Sequence, residues 1–250
     1  MKAERGEKEM PKFFVTPQQV REKTILLEGE DAKHIKTVLR SKVGETITVC
    51  DGNGMDYNCQ ITTLEDKSVE VEILEKFLCE AEPTVKITLF QGLPKADKME
   101  LMIQKCVELG VDRIVAVSTE RSIVKLDKKE GKKIERWQKI AEAAAKQSGR
   151  GKIPEIGGVL TFSQAVAQAK ALDGALIPYE KETERGLRQF VSKFSGKSLG
   201  VFIGPEGGFG TDEIEKAMEA GILPVTLGKR ILRTETAGMV TVALLLYELE

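Results

Sequence analysis

The sequence predicts two folded units, a small N-terminal β-barrel over residues 10–80 and an α/β domain with a mostly parallel sheet over residues 81–250. Before residue 80, short apolar and β-branched runs separated by turn residues dominate, which is typical of strands. After Pro83, strand patterns alternate with helical ones, and that order forms a parallel sheet covered by helices. Residues 1–9 are charged, and we expect a disordered leader ahead of an alternative start at Met10.

Five strand patterns and one helical pattern make up the first unit. The helix is predicted near residues 30–39. A turn with two glycines occupies residues 51–54, where glycine tolerates a positive φ. Short strands around a single helix indicate a small barrel. The predicted strands cover residues 13–15, 24–27, 46–50, 57–63 and 68–74.

Helical and strand patterns alternate through the second unit. The predicted strands cover residues 85–90, 111–117, 174–178, 199–203 and 223–227. The predicted helices cover residues 95–109, 132–148, 162–170, 212–220 and 234–249. Gly110 is placed to end the first of these helices, and Asp212 with Glu215 resembles a capping box for the fourth. The last helix is apolar on nearly every side, which makes it a candidate subunit interface.

Composition excludes several classes of function. The 41% hydrophobic and 31% charged residues are ordinary for a soluble globular protein. The longest apolar stretch, residues 239–247, is too short to span a bilayer, and the charged N-terminus is no signal peptide, so we expect a cytoplasmic protein. With one histidine, His34, and no Cys-x-x-Cys pair among four cysteines, we expect no metal site and four reduced thiols.

Basic charge is concentrated in two blocks although the net charge is only -1. Residues 33–42 contain four cations and no acid, and residues 121–152 contain eleven cations against four acids, a net of +7. Residues 60–82 contain seven acids against two lysines. A segregated basic block can follow phosphates by displacing their counterions, so this distribution favours RNA over a simple solvated helix face.

Two late loops carry the candidate chemistry. The first, residues 203–210, is called the GPEGG loop, and it joins a buried strand to a helix with four glycines in seven residues. Such glycines allow a ligand to approach the backbone closely and expose N–H donors. The loop matches neither the GxxxxGK[ST] nor the GxGxxG nucleotide motif. A plain turn rarely needs this many glycines.

The second loop, residues 226–237, is called the LGKR loop. It also joins a strand to a helix, and its apolar residues Leu227, Ile231 and Leu232 lie beside charged ones. Apolar loop side chains suit the walls around a flat group such as adenine. Thr234 is expected to cap the last helix.

These loops closely resemble the signature loops of the SPOUT superfamily, in particular the family of 16S rRNA uridine-N3 methyltransferases. The GPEGGF segment at 204–209 and the LGKRILRTETA segment at 227–237 are the specific matches. Weaker matches extend the resemblance across residues 10–250, with the N-terminal unit resembling a PUA-like barrel. They are KFFV (12–15), HIKTVLR (34–40), DGNGMDY (51–57), KMELMIQKCVELGV (98–111), ERSIVKL (120–126) and RWQKIAEAAAKQSGR (136–150).

The resemblance implies an S-adenosylmethionine-dependent enzyme. It also implies a homodimer and a C-terminal domain folded as a deep trefoil knot, and knots are almost absent outside a few such families. The residues implied for cofactor binding lie on the two loops and the preceding strand end. They are Leu176, Pro178, Ile203, Gly204, Pro205, Glu206, Gly207, Gly208, Leu227, Gly228, Ile231, Leu232 and Thr234.

Methylation of uridine N3 requires alignment of donor and acceptor and removal of the N3 proton. Arg233 is the candidate that stabilises negative charge on the base, while Glu206 or Glu235 orients it or accepts the proton. An equal alternative is that Glu206 only holds its loop through backbone N–H groups. Contacts to ribosomal RNA or the small ribosomal subunit are expected from polar residues of the basic blocks and from Lys12 near the start of the first unit. These are Lys12, Lys33, His34, Lys36, Arg40, Lys42, Arg121, Gln147 and Arg150.

Two other functions are consistent with the same residues. Within the enzyme class, a SPOUT methyltransferase could act on another rRNA or tRNA base or on a ribose 2′-OH, and the loops alone do not separate these targets. From a different class, the chain could be a non-catalytic RNA-binding ribosome-assembly factor. The intact loops argue against the second alternative. A nucleotide hydrolase is disfavoured because the GPEGG loop has no lysine.

Overall fold

A computed structural model describes residues 12–95, 97–122 and 130–250. The chain divides into two compact units. Of the described residues, those up to Glu82 together with Gly149–Ile153 form the first unit, and those of 83–148 and 154–250 form the second. The short segment 149–153 therefore returns to the first unit after the chain has entered the second. Among the described residues, no helix combines the length and the apolar content needed to cross a membrane.

The first unit is a curled mixed sheet, a half-barrel, of five strands. The strands are β1 (Lys12–Phe14), β2 (Thr24–Glu28), β3 (Thr46–Cys50), β4 (Met55–Leu64) and β5 (Ser68–Leu78). Their order is β1-β3-β4-β5-β2, with β1 parallel to β3 and the other pairs antiparallel. Helix α1 (Gly29–Lys33) continues into a π-helical turn (His34–Val38). Alternating strand residues, such as Val69 and Val71, are fully buried and form the core.

A buried ion pair connects segment 149–153 to the rest of the first unit. The Arg150 Nη2 atom lies 2.8 Å from Oε2 of Glu82, and only 3% of the Arg150 side chain is exposed. The backbone N–H groups of Gly151 and Lys152 donate to Oε1 of the same carboxylate, at 2.8 and 3.0 Å. Glu82 therefore binds three groups of one segment, and a buried charge without such partners would strongly destabilise the fold.

The second unit is a six-stranded parallel sheet with helices on it. The strands are β6 (Lys86–Gly92), β7 (Arg113–Ser118), β8 (Glu155–Thr161), β9 (Gly174–Pro178), β10 (Ser198–Ile203) and β11 (Leu223–Val225). Their order is β11-β9-β10-β6-β7-β8, and every pair is parallel. The helices are α2 (Lys98–Leu109), α3 (Glu130–Gln147), α4 (Phe162–Ala169), α5 (Leu187–Val191), α6 (Thr211–Glu219) and α7 (Thr234–Leu249).

Burial on both faces explains the continuous apolar strands of this sheet. On adjacent strands, Phe90 stacks on Phe202 with ring centroids 4.5 Å apart, and Phe162 of α4 meets Phe202 edge-on at 6.0 Å.

Gly110 ends α2 in the left-handed region at φ 109°, as predicted. The predicted capping box was wrong: Glu213, not Glu215, accepts a hydrogen bond from the Gly210 N–H at 2.9 Å. Strand β8 and helix α5 were missed.

The four cysteines are free and buried. Burial raises the pKa of Cys106, which lies on the core face of α2, to about 12. Burial likewise raises the pKa of Cys59 to about 12. Because the thiolate is the reactive form, these thiols are chemically quiet at neutral pH.

We expect Glu82→Gln to destabilise the first unit by about 3 kcal/mol, because it leaves the Arg150 guanidinium buried beside a neutral amide. Chemical denaturation followed by near-ultraviolet circular dichroism measures the change. Glu80→Gln is the matched control, since Glu80 is exposed and its substitution should change the free energy of unfolding by less than about 0.5 kcal/mol. Equal effects of the two substitutions would contradict this role for Glu82.

Candidate active site

The GPEGG loop and the LGKR loop lie on either side of one cavity of about 1010 Å³ in the second unit. Both loops leave parallel strands at the same edge of the sheet, where ligands bind in open α/β folds. The walls also include residues from β9 and the segment after it. Among the described residues, those that line the cavity outside the two loops are Lys98, Pro178, Tyr179, Glu180, Glu182 and Thr183.

Nearly all the predicted cofactor residues line this cavity. The exception is Leu176, which is fully buried in β9 and does not line the cavity, so its contact with the cofactor stays a prediction from the resemblance. The side chain of Ile231 is 89% exposed on the LGKR loop. A flat apolar ligand that covers this exposed side chain would be bound more tightly, because apolar surface is removed from water.

Glycines allow the GPEGG loop to pack against the end of β6. A Cβ atom on Gly92 would lie 2.6 Å from Cδ of Pro205 and 2.7 Å from its backbone nitrogen. A Cβ atom on Gly204 would lie 3.0 Å from the backbone of Gly208. Gly208 has φ +68°, and its N–H donates to the Pro205 carbonyl at 2.9 Å, which closes a tight turn. The loop therefore requires glycine for steric reasons, independent of any ligand.

The Thr234 hydroxyl joins the two loops to the sheet. It donates to the Gly204 carbonyl at 2.6 Å and accepts from the Gln91 side-chain amide at 3.0 Å. The same Gln91 amide donates to the Gly92 carbonyl at 2.9 Å. The prediction of Thr234 as a helix cap was wrong, because Arg233 occupies the N-cap position and Thr234 is the first residue of α7. The Thr234 hydroxyl therefore bonds to groups outside α7 and does not cap that helix.

Lys98 lies between the two predicted acidic residues. Its Nζ atom is 3.1 Å from Oε1 of Glu206 and 3.3 Å from Oε2 of Glu235. Oxygen Oε1 of Glu206 also accepts from the Lys95 backbone N–H at 3.1 Å. Burial alone would raise the pKa of Glu206, but backbone N–H donors and Lys98 outweigh it and lower the pKa. Glu206 lines the cavity, whereas Glu235 does not.

Arg233 lies at the mouth of the cavity. It is exposed, and within the described part of the chain its guanidinium has no hydrogen-bond or ion-pair partner. An arginine of this kind is open to bind an anionic or carbonyl group of a ligand.

The predicted RNA contacts fall into two groups. Lys33, His34, Arg40 and Lys42 are exposed on the helix and turn that follow β2, while Lys36 is paired with Asp66 at 3.6 Å and with the Glu65 carbonyl. Gln147 and Arg121 are also exposed, and Arg121 donates to the Gly207 carbonyl at 2.8 Å. The guanidinium of Arg121 thus supports the GPEGG loop from outside.

Two of the residues predicted to contact RNA are buried and ion-paired. Arg150 is 2% exposed and paired with Glu82. The Lys12 side chain is 9% exposed, with Nζ 2.7 Å from Asp56 and 3.0 Å from the Gly149 carbonyl. Charge in the sequence does not reveal an acidic partner that is remote along the chain, and RNA contact by these two residues stays a prediction.

Sequence reasoning missed several cavity residues. Lys98 is the most important, since it pairs with both predicted acids. The only sequence signal for Lys98 was its position at the start of segment 98–111, which resembles a segment of the family. Tyr179, Glu180 and Glu182 were also missed, because they follow β9 in a segment with no recognisable pattern.

Comparison with known proteins identifies the class of this chain. A family model described as an RNA methyltransferase domain matches residues 80–246, and one described as an RNA methyltransferase PUA domain matches residues 27–74. The fold and the cavity therefore define an RNA methyltransferase with a PUA domain, which confirms the predicted fold class.

Close relatives narrow the identification. A Bacillus subtilis protein, ribosomal RNA small subunit methyltransferase E, is 36% identical, with 96% of this chain and 98% of the relative covered. The solved structure of the Neisseria gonorrhoeae protein of that name, bound to S-adenosyl methionine, has a TM-score of 0.81 at 35% identity, covering 94% and 96%. A Legionella pneumophila structure with bound SAM has a TM-score of 0.80 at 33% identity, also covering 94% and 96%. This chain belongs to the ribosomal RNA small subunit methyltransferase E family, as the resemblance predicted.

We expect Gly92→Ala to destabilise the second unit by about 1–3 kcal/mol, because its Cβ would overlap the backbone of the GPEGG loop. Thermal unfolding by calorimetry measures the effect. Gly158→Ala is the control, since it adds a Cβ on the same sheet with no atom within 4 Å and should be neutral or stabilising by up to about 1 kcal/mol. A stable Gly92→Ala variant would show that the two segments do not pack as described.

Proposed function

We propose that this protein transfers a methyl group from S-adenosylmethionine to N3 of a specific uridine in 16S ribosomal RNA. The observation that carries the proposal is the single cavity lined by both the GPEGG loop and the LGKR loop. Two relatives at 33% and 35% identity hold S-adenosylmethionine in their solved structures, and named relatives act on ribosomal RNA of the small subunit. The resemblance to uridine-N3 methyltransferases supports the choice of atom.

The residues of the cavity fit this cofactor. The volume of about 1010 Å³ lies at the upper end of the range for small-molecule sites. Leu227, Ile231 and Leu232 would enclose the adenine, and the backbone of the GPEGG loop would bind polar groups of the nucleoside. When bound, S-adenosylmethionine supplies an electrophilic methyl group on a sulfonium leaving group.

Arg233 would stabilise negative charge on the uracil ring as N3 loses its proton. Its guanidinium lies open at the cavity mouth, where a base from solvent would enter. Glu206 is a weak proton acceptor because Lys98 and backbone N–H groups hold its pKa below the usual range. The carboxylate of Glu235 binds Lys98 and does not line the cavity. We therefore propose that the proton leaves to water at the mouth, and that Glu206 holds the loop.

We expect Arg233→Ala to lower kcat by roughly 10²–10³-fold, since it removes the donor that stabilises the developing anion. Affinity for S-adenosylhomocysteine, measured by calorimetry, should change little. Glu206→Gln should lower kcat by less than about tenfold, whereas a general base would contribute roughly 10²–10⁴-fold. Arg188→Ala is the control, because Arg188 is an exposed arginine outside the cavity.

Two results would overturn these roles. Normal methylation by Arg233→Ala would remove Arg233 from the mechanism. A loss of several hundred-fold in Glu206→Gln, with unchanged binding of S-adenosylhomocysteine, would make Glu206 the proton acceptor instead.

The exposed cations after β2 are proposed to bind RNA phosphates. Removing two phosphate contacts by Arg40→Ala with Lys42→Ala should weaken RNA binding and reduce the slope of log K against log salt by about 1.5. Lys23→Ala with Lys76→Ala removes the same charge from exposed positions elsewhere in the unit. If both pairs have equal salt slopes, these residues contribute only net charge.

The reaction product tests the proposed function most directly. Purified protein, S-adenosylmethionine and unmodified small subunits or 16S RNA should yield 3-methyluridine, identified by nucleoside mass spectrometry. A 5-methyl or 2′-O-methyl product would assign another target.

We also propose a cytoplasmic homodimer that uses α7, where Leu244 and Tyr247 are 43% and 82% exposed. Light scattering would measure its mass.

A further inference from the structure

Acidic side chains from both loops form ion pairs with one lysine, Lys98. Lys98 is the first residue of α2, and Glu206 and Glu235 both lie within 3.3 Å of its Nζ atom. Glu206 belongs to the GPEGG loop, and Glu235 lies in the first turn of α7 at the end of the LGKR loop. Lys98 also lines the cavity. No other ion pair between described residues connects the two loops.

The charges of this group depend on one another. The pKa of Lys98 is raised by its hydrogen bond to Glu206, against a smaller opposing effect of burial, and by its contact with Glu235. Oxygen Oε2 of Glu235 is inaccessible to solvent and has no hydrogen-bond partner among the described residues, so the Lys98 ammonium is its counter-ion. Without that cation, two carboxylates attached to different loops would face each other, and like charges at this separation repel.

We propose that Lys98 is a positioning residue that couples the GPEGG loop to α7 and so sets the width of the cofactor cavity. This inference rests on the proposed function, because it concerns the site for S-adenosylmethionine. Lys98 holds Glu206 toward α2 and Glu235 toward the same point. Arg233, two residues before Glu235, is thereby held at the cavity mouth. The Thr234 hydroxyl fixes the backbone of the two loops, and Lys98 fixes their charged side chains.

Three variants of the full chain test the proposal. Lys98→Met removes the charge and keeps most of the length, Lys98→Arg keeps the charge, and Lys98→Met with Glu235→Gln removes the buried carboxylate as well. Lys105→Met is the matched control, since Lys105 pairs with Glu108 at 2.9 Å on the same helix and does not line the cavity. Calorimetry with S-adenosylhomocysteine gives affinity without catalysis, and steady-state kinetics give kcat and KM.

Lys98→Met should weaken S-adenosylhomocysteine binding by roughly tenfold, because both walls of the cavity are displaced. It should also lower kcat, because Arg233 is displaced with them. Lys98→Arg should restore affinity to within about threefold, and adding Glu235→Gln to Lys98→Met should recover part of the loss, since coupled residues are not additive. Lys105→Met should leave binding unchanged.

The outcomes separate this inference from the proposed function. If the wild-type protein does not bind S-adenosylhomocysteine, the proposed function fails. If the wild type binds and Lys98→Met binds equally well with an equal kcat, Lys98 has no positioning role. If Lys98→Met only lowers the melting temperature, and affinity measured well below that temperature is normal, Lys98 stabilises the fold alone and the proposal is overturned.

Discussion

The cavity depends on the two hydrogen bonds that the Thr234 hydroxyl group makes. It accepts from Gln91 and donates to Gly204, so one oxygen connects the end of β6, the GPEGG loop and the start of α7. Gln91 is fully buried, and its side-chain NH2 group donates to the Thr234 hydroxyl and to the Gly92 carbonyl, while its Oε1 atom has no partner among the described residues. Because Gln91 and Thr234 are buried, water competes little for the hydrogen bond between them, which helps to keep the walls in place before any ligand arrives.

The parallel sheet determines where the loops emerge. Strands β10 and β11 lie on either side of β9, so the segments that follow all three strands reach one edge of the sheet. The apolar strands are rigid because they are buried on both faces, and the glycines allow close contact between loops at that edge. The proposed chemistry would require few groups, namely apolar walls, backbone N–H donors and an open arginine. Such a small set of groups suits a reaction in which alignment and charge stabilisation supply most of the rate.

Patterns that are local in the sequence were predicted well, and partners that are remote were not. The strand at 174–178 and the helix at 234–249 have the predicted bounds, because apolar runs and periodicity extend over adjacent residues. The Lys98 pairs and the Glu82–Arg150 pair join residues far apart in the chain, so no pattern could reveal them. Strand β8 was missed because the glycines at 157 and 158 interrupt its β-propensity. The trefoil knot stays a prediction from the resemblance.

Amide hydrogen exchange with and without S-adenosylhomocysteine tests the central claim, that two loops distant in sequence form the walls of one nucleoside pocket. The account predicts that saturating ligand slows exchange in both residues 204–210 and residues 226–234, with the same concentration dependence. Protection of only one loop, or of a surface that contains neither, would contradict it.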